Sequence, residues 1–419
     1  MERNNKMLKL IVLADDLTGA LDTGIQFAKS SDGTLVALDC DVCWDDVSAE
    51  KEVLVIDTES RHIAPQEAYQ RVKHLSEKAK NAGIPFIYKK TDSALRGHVG
   101  SELAAVLDAT GEKQLHFIPA FPRTKRVTVH GIQYIDGIPV ADSVFGSDPF
   151  NPVRHSSVMD VLAEETNLRT HSISCEEDSS EEEGILIYDA ENDEDIQKRA
   201  GELKKKDRLH VMAGCAGFAA VLPELLDLHR GNAKNRIEHK PMLVVCGSVN
   251  PITVTQLDDA ENKGFRRDRI SPDTLLRKGH FTSEEWKTNV KDWADWLNKG
   301  NDLILDTNTL PGCETAYDFA DQNGIRREDV PVLISRSMGQ LVKDLIDLGV
   351  DATMLITGGD TLMGFMRAEN IRLMQPCREL VAGTVLSMVS IHGKTYNIIS
   401  KSGGFGVPTL ISDLKELLQ

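Results

Sequence analysis

The sequence predicts an α/β protein of two domains, each built on a mainly parallel sheet, with a ligand cleft between them. Three observations predict it. Short apolar runs of strand length alternate with amphipathic segments along most of the chain. Many of these runs stop abruptly in polar or glycine-rich stretches, and open α/β sheets bind ligands beyond the carboxyl ends of their strands. A polar stretch at 229–241, punctuated by Gly and Pro and without apolar period, interrupts the alternation.

In chain order, strands are predicted at 8–14, 35–38, 53–56, 86–88 and 115–119, with helices at 65–82 and 101–107. The stretch HGIQYIDGIPV (130–140) breaks the pattern, because Asp136-Gly137 between β-prone flanks signals a hairpin. CEEDSSEEEG (175–184) reads as a solvated loop. Strands resume at 185–188 and 209–213. A linker and hinge at 231–240 then separates a domain of residues 1–230 from one of 241–419. The second domain carries predicted strands at 242–246, 303–306, 332–335 and 354–357, and helices at 251–257 and 339–348.

Composition narrows the function. The 419 residues suit two or three domains, at roughly 150 residues each. The formal net charge of −17 argues against a nucleic-acid partner. No apolar run approaches the ~20 residues of a membrane span, and MERNNKMLKL lacks the apolar region of a secretory signal. Seven scattered cysteines suit free thiols in the cytoplasm, with Cys40 and Cys43 read as structural. Oligomeric state and metal ligands are not legible.

The first strand ends in Asp15-Asp16, the third in DTESRH, the fourth in KKTDSALRG and the fifth in PAFPRTKRVT. Parallel strands would gather these ends on one rim. Carboxylates (Asp15, Asp16, Asp92) would then face cations (Arg61, Lys89, Lys90, Arg96, Arg123), with Thr91 and Ser93 between them. Such a rim suits a small polyhydroxylated acid: carboxylates accept from hydroxyls, an Arg fork clamps a carboxylate, and an Asp can act as general base. The competing assignment is helix capping, by Asp16 or Thr18 and by Asp92 or Ser93. In the second half, VVCGSVNPITVTQL, LITGGDTLMGF and IISKSGGFGVPTLISDL each place glycines where a strand gives way to a helix, as a phosphate cradle requires. None is a Walker motif.

ADDLTGALDTG, KKTDSALRG, PAFPRTKRVTVHGIQYIDG, CGSVNPITVTQ, TGGDT and KSGGFG, in this order, resemble the motifs of the four-carbon acid sugar kinase family. The resemblance implies an N-terminal substrate domain, a C-terminal nucleotide domain, and an ATP- and Mg²⁺-dependent kinase. Its phosphate acceptor would be the terminal hydroxyl of D-erythronate, D-threonate or a 3-oxo acid, the first two preferred. It also implies that Asp15, Asp16, Arg61, Lys90, Thr91, Asp92, Ser93 and Arg96 meet substrate, with Asp16 catalytic. Ser248, Gly358, Gly359, Asp360, Thr361 and Gly403 would meet ATP. The commoner nucleotide loop of the family is Gly-Gly-Glu-Thr, and Asp360 here shortens the acid. Two other classes compete, a non-catalytic sugar-acid sensor and a nicotinamide-dependent dehydrogenase. The latter needs a G-x-G-x-x-G spacing that neither 17–24 nor 401–406 supplies.

Overall fold

The computed structural model describes residues 8–29, 33–44, 47, 51–148, 151–228, 239–401 and 406–418. The chain divides into two compact units, Met1–Ala233 and Lys234–Gln419. Residues 231–238 of the expected hinge, and Gly403, lie outside the described residues.

The first unit contains β1 (Leu10–Ala14), β2 (Thr34–Ala37), β3 (Val53–Asp57), β4 (Phe86–Lys90) and β5 (Gln114–Ile118). A hairpin sheet follows, β6 (Arg126–Val129), β7 (Ile132–Ile135) and β8 (Ile138–Pro139), and then β9 (Thr170–Ile173), β10 (Gly184–Tyr188) and β11 (Val211–Gly214). Its main sheet runs β2-β3-β1-β4-β11-β5-β10-β9, and the neighbours pair in parallel. Parallel strands are covered on both faces, which is why LIVLA and VLVID are buried at every position. Asp136 and Gly137 turn the β7–β8 hairpin with φ of 50° and 81°, the left-handed pair that Asp-Gly accepts most readily. The acidic 175–183 stretch is a loop, as expected, but a tethered one. Arg199 of the helix Asp193–Lys205 donates to the carbonyls of Ser174 and Glu177, and Arg208 pairs with Glu181.

The second unit holds β12 (Met242–Cys246), β13 (Arg266–Arg269), β14 (Leu303–Asp306), β15 (Thr353–Thr357), β16 (Leu373–Val381), β17 (Thr384–Ile391) and β18 (Lys394–Lys401). Order β13-β14-β12-β15-β18 is parallel, and β18-β17-β16 is an antiparallel meander that the predicted alternation missed. β13 was also missed, because Arg-Arg-Asp-Arg has no apolar pattern and an edge strand needs none. The strand predicted at 332–335 is instead the start of a helix, Val330–Asp347. A short apolar run does not by itself distinguish strand from helix. Here Pro331 opens the first turn, Val332 is 68% exposed, and burial at Met338, Leu341, Val342 and Leu345 follows the helical period. This helix meets the helix Gly359–Ala368 at a close crossing, where a Cβ on Gly339 would lie 2.3 Å from the Gly364 backbone. No helix among the described residues is long and apolar enough to cross a membrane.

Candidate active site

β3, β1, β4 and β5 end on one edge of the first sheet. Asp16 is the N-cap of α1 (Leu17–Ala28): its Oδ1 accepts from the Gly19 amide at 3.0 Å. The capping and site assignments therefore meet in one residue. Arg61 reaches across from the loop after β3. Its Nε donates to Asp15 Oδ2 at 2.7 Å, and Nη1 and Nη2 donate to the two Asp16 oxygens at 2.9 and 2.8 Å. Asp92 Oδ1 lies 3.6 Å from Nη2. The Arg61 fork is thus closed on the protein's own carboxylates, which a free carboxylate clamp would not be.

Asp92 does not cap the next helix. That helix, Val99–Thr110, has His98 as N-cap without a side-chain bond. Asp92 instead accepts from the Ala94 and Arg96 amides and pairs with the Arg96 guanidinium at 2.9 and 3.1 Å. These bonds hold Leu95 at φ 64°, a strained conformation for a bulky residue at a rim. Burial pushes the Asp92 carboxyl up, but Arg96 and Arg61 outweigh it and hold the carboxyl well below the usual range.

The paired lysines part company because successive strand residues face opposite ways. Lys90 lies under α1, and a Cβ on Gly19 would come within 2.7 Å of its Nζ. Lys89 does not face the rim. It is fully buried in a pair with Glu102 at 2.9 Å, and Ser60 donates to the same carboxylate. Glu102 was not singled out from sequence, although strand alternation already required a buried partner for one lysine.

Arg123 is also misplaced by the sequence reading. It is exposed and pairs with Asp193 at 2.7 Å. Arg126, the first residue of β6, takes the rim position instead. It donates to Ser93 Oγ, and its guanidinium lies 5.3 Å from the Phe145 ring centre, with Arg96 at 4.9 Å from the same ring. Two guanidiniums gathered on one aromatic ring form a cationic corner beside Asp92. Two atoms of the rim, Asp15 Oδ1 and Thr91 Oγ1, are buried without a hydrogen-bond partner in the structure, and such atoms are rare enough to need explanation.

In the second unit the structure brings Gly247, the residue before Ser248, against Thr361 of the Gly358–Thr361 turn. A Cβ on Gly247 would fall 2.2 Å from Thr361 Oγ1. Gly358 sits at φ 100°, ψ 125°, and caps Gly359–Ala368 with no side-chain bond. The first amides of that helix are therefore offered without a side-chain acceptor, as an anion site needs. The turn after β12 differs. Asn250 caps the helix Pro251–Asn262 by accepting from Ile252, and Pro251 has no amide hydrogen to offer. The two glycine turns among the described residues are therefore not equivalent. Asp360 is exposed, and its carbonyl accepts from Ser335 Oγ at 2.5 Å.

Residues 10–222 match the model of a sugar-binding N-terminal domain, and residues 243–411 that of a nucleotide-binding C-terminal domain. The chain is 28% identical over 427 residues to a D-threonate kinase of Salmonella typhimurium, covering 97% of each. It is 28% identical over 277 residues to a D-erythronate kinase of Heliobacterium modesticaldum, covering 61% of each. A solved structure from Salmonella typhimurium, assigned there provisionally as a tRNA synthase, superposes with a TM-score of 0.79 over 99% of this chain and 100% of that one. At 17% identity that likeness concerns the fold. With the family models spanning both halves, and the rim and glycine turn lying within them, the chain belongs to the four-carbon acid sugar kinase family.

Proposed function

We propose that the protein transfers the γ-phosphoryl group of ATP to the terminal hydroxyl of a four-carbon sugar acid, D-threonate or D-erythronate, in the cytoplasm. Residues 1–230 would bind the acid and 241–419 the nucleotide. The observation that carries this reading is the rim itself, where three carboxylates and three guanidiniums gather and where Asp15 Oδ1 and Thr91 Oγ1 are buried without a hydrogen-bond partner in the structure.

In this reading Asp16 is the reacting carboxylate. It is the more exposed of the pair, with 27% of its side chain accessible against 2% for Asp15. The acceptor hydroxyl gives its proton to Asp16 as its oxygen bonds to the γ-phosphorus, and the bond from that phosphorus to the departing ADP oxygen breaks. Arg61 positions Asp16 and Asp15. Thr91, Asp92 and Lys90 hold substrate hydroxyls, and Ser93 sets the Arg126 side chain. Arg126 and Arg96 receive the substrate carboxylate. The uncapped Gly358–Thr361 turn and Ser248 receive phosphate. Asp360, the acid of that loop, would help hold Mg²⁺, which would supply charge neutralisation to the nucleotide phosphates.

The class is tested by ATP consumption against D-threonate, D-erythronate and 3-oxo-tetronate, with NAD(P) reduction followed in parallel. No ATP-dependent product with any of them would refute the kinase reading. Arg126→Met is expected to raise KM for the acid on the order of 10–100-fold, the loss of a charge-assisted contact, with kcat and ATP KM little changed. An unchanged KM removes Arg126 from the clamp. Arg61→Ala is a poorer probe, because it strands the buried Asp15 carboxylate and costs stability as well.

A further inference from the structure

At the carboxyl edge of the second sheet, four in-register neighbours form a row: Asp306, Cys246, Thr357 and Lys401. Strand alternation puts them on the face of Val244, Ile304, Leu355 and Ile399, which pack a hydrophobic core against Leu257 and Leu410. The row is therefore the polar lid of that core. Asp306 is committed to Arg267 at 2.5 Å. Lys401 is 2% exposed, and its Nζ lies 3.3 Å from Thr253 Oγ1 in the first turn of Pro251–Asn262. Its carbonyl accepts from the Gly358 amide at 3.2 Å, so the lysine is strapped to the turn that precedes the uncapped helix. Thr357 Oγ1 beside it, and Thr307 Oγ1 after β14, are buried without a hydrogen-bond partner in the structure.

A buried ammonium beside the first turn of Pro251–Asn262 adds positive charge to that helix's positive potential, and its own backbone holds the turn that opens Gly359–Ala368. Positive potential of this kind, next to the buried Thr357 and Thr307 hydroxyls, suits an anion. We propose that Lys401 is a phosphate-binding lysine, its Nζ neutralising the phosphate chain of a nucleotide held on the Gly358–Thr361 turn. The inference rests on the reading of this unit as the ATP domain. Burial lowers the Lys401 ammonium to about 8, with the Cys246 thiol working slightly against it. A neighbouring phosphate would favour the charged form.

The test is calorimetry of ATP binding to the full chain, with melting temperatures recorded with and without D-threonate. Lys401→Met should weaken ATP binding about 10–100-fold, the scale of a charge-assisted contact. Its ligand-free melting temperature should fall too little to account for the lost binding. The D-threonate shift should persist. Lys401→Gln keeps a hydrogen bond to Thr253 without the charge and should lose affinity equally. Near-wild-type ATP affinity in either folded variant overturns the assignment. So does a fall in melting temperature in both variants that accounts for the lost binding, which would mark Lys401 as structural. Wild-type protein that binds no ATP would instead overturn the underlying nucleotide reading, before any variant is compared.

Discussion

Asp16→Asn is expected to lower kcat by about 10²–10⁴-fold, the range for loss of a positioned general base. Both geometry and charge enter this expectation. Asn caps a helix nearly as well as Asp, so the bond from the Gly19 amide should survive. The bidentate contact with Arg61 will not, because the amide nitrogen cannot accept from Nη1 or Nη2. A modest fall in melting temperature should accompany the kinetic loss, and ATP affinity should change little. Asp15→Asn is the control. Asp15 is buried, and although burial pushes its carboxyl up, Arg61, Lys90 and Lys89 together hold it below the usual range. The Asp15 variant should lose stability more than turnover. Equal kcat losses at the two positions would mean that the carboxylates act as a pair. Full activity in Asp16→Asn would refute its role and move the search for a base to Asp92.

Gly358→Val is expected to weaken ATP binding more than 100-fold while leaving sugar-acid binding in place. The backbone at φ 100°, ψ 125° lies where a β-branched residue is strained. Strain of this kind costs on the order of 1–3 kcal/mol, and relief by rotating the turn would re-aim the amides of Gly359, Asp360 and Thr361. Thr361 is also held against Gly247, so the displacement would pass to the Ser248 turn. Gly359→Val probes the same turn by obstructing the approach of phosphate to the backbone. Calorimetry reads ATP affinity, and the D-threonate-induced thermal shift reads the other unit. Normal ATP affinity in a folded Gly358→Val protein would sink the cradle.

The alternation of strand and helix, the strand-end clustering of acids and cations, the Asp136-Gly137 hairpin and the glycine turns are legible in the residues alone. Each follows from local physics: period of burial, left-handed φ, and the polarity that strand ends require. Which group pairs with which is settled by the folded chain. Arg123 and Arg126 are equivalent in sequence, but one lies in the exposed turn Pro122–Thr124 and the other opens β6 against Ser93. Lys89 and Lys90 share a strand, yet Lys89 is spent on Glu102. Arg61 looks like a clamp for ligand and is closed on Asp15 and Asp16. The 332–335 run has the composition of a strand and lies in a helix that crosses its neighbour where Gly339 meets Gly364. Lys401 reads as an ordinary strand-end lysine, and its burial comes from core and helix segments as distant as Thr253. Charge pairing and burial depend on contacts between residues far apart in the chain, and local pattern carries no information on which distant group arrives first.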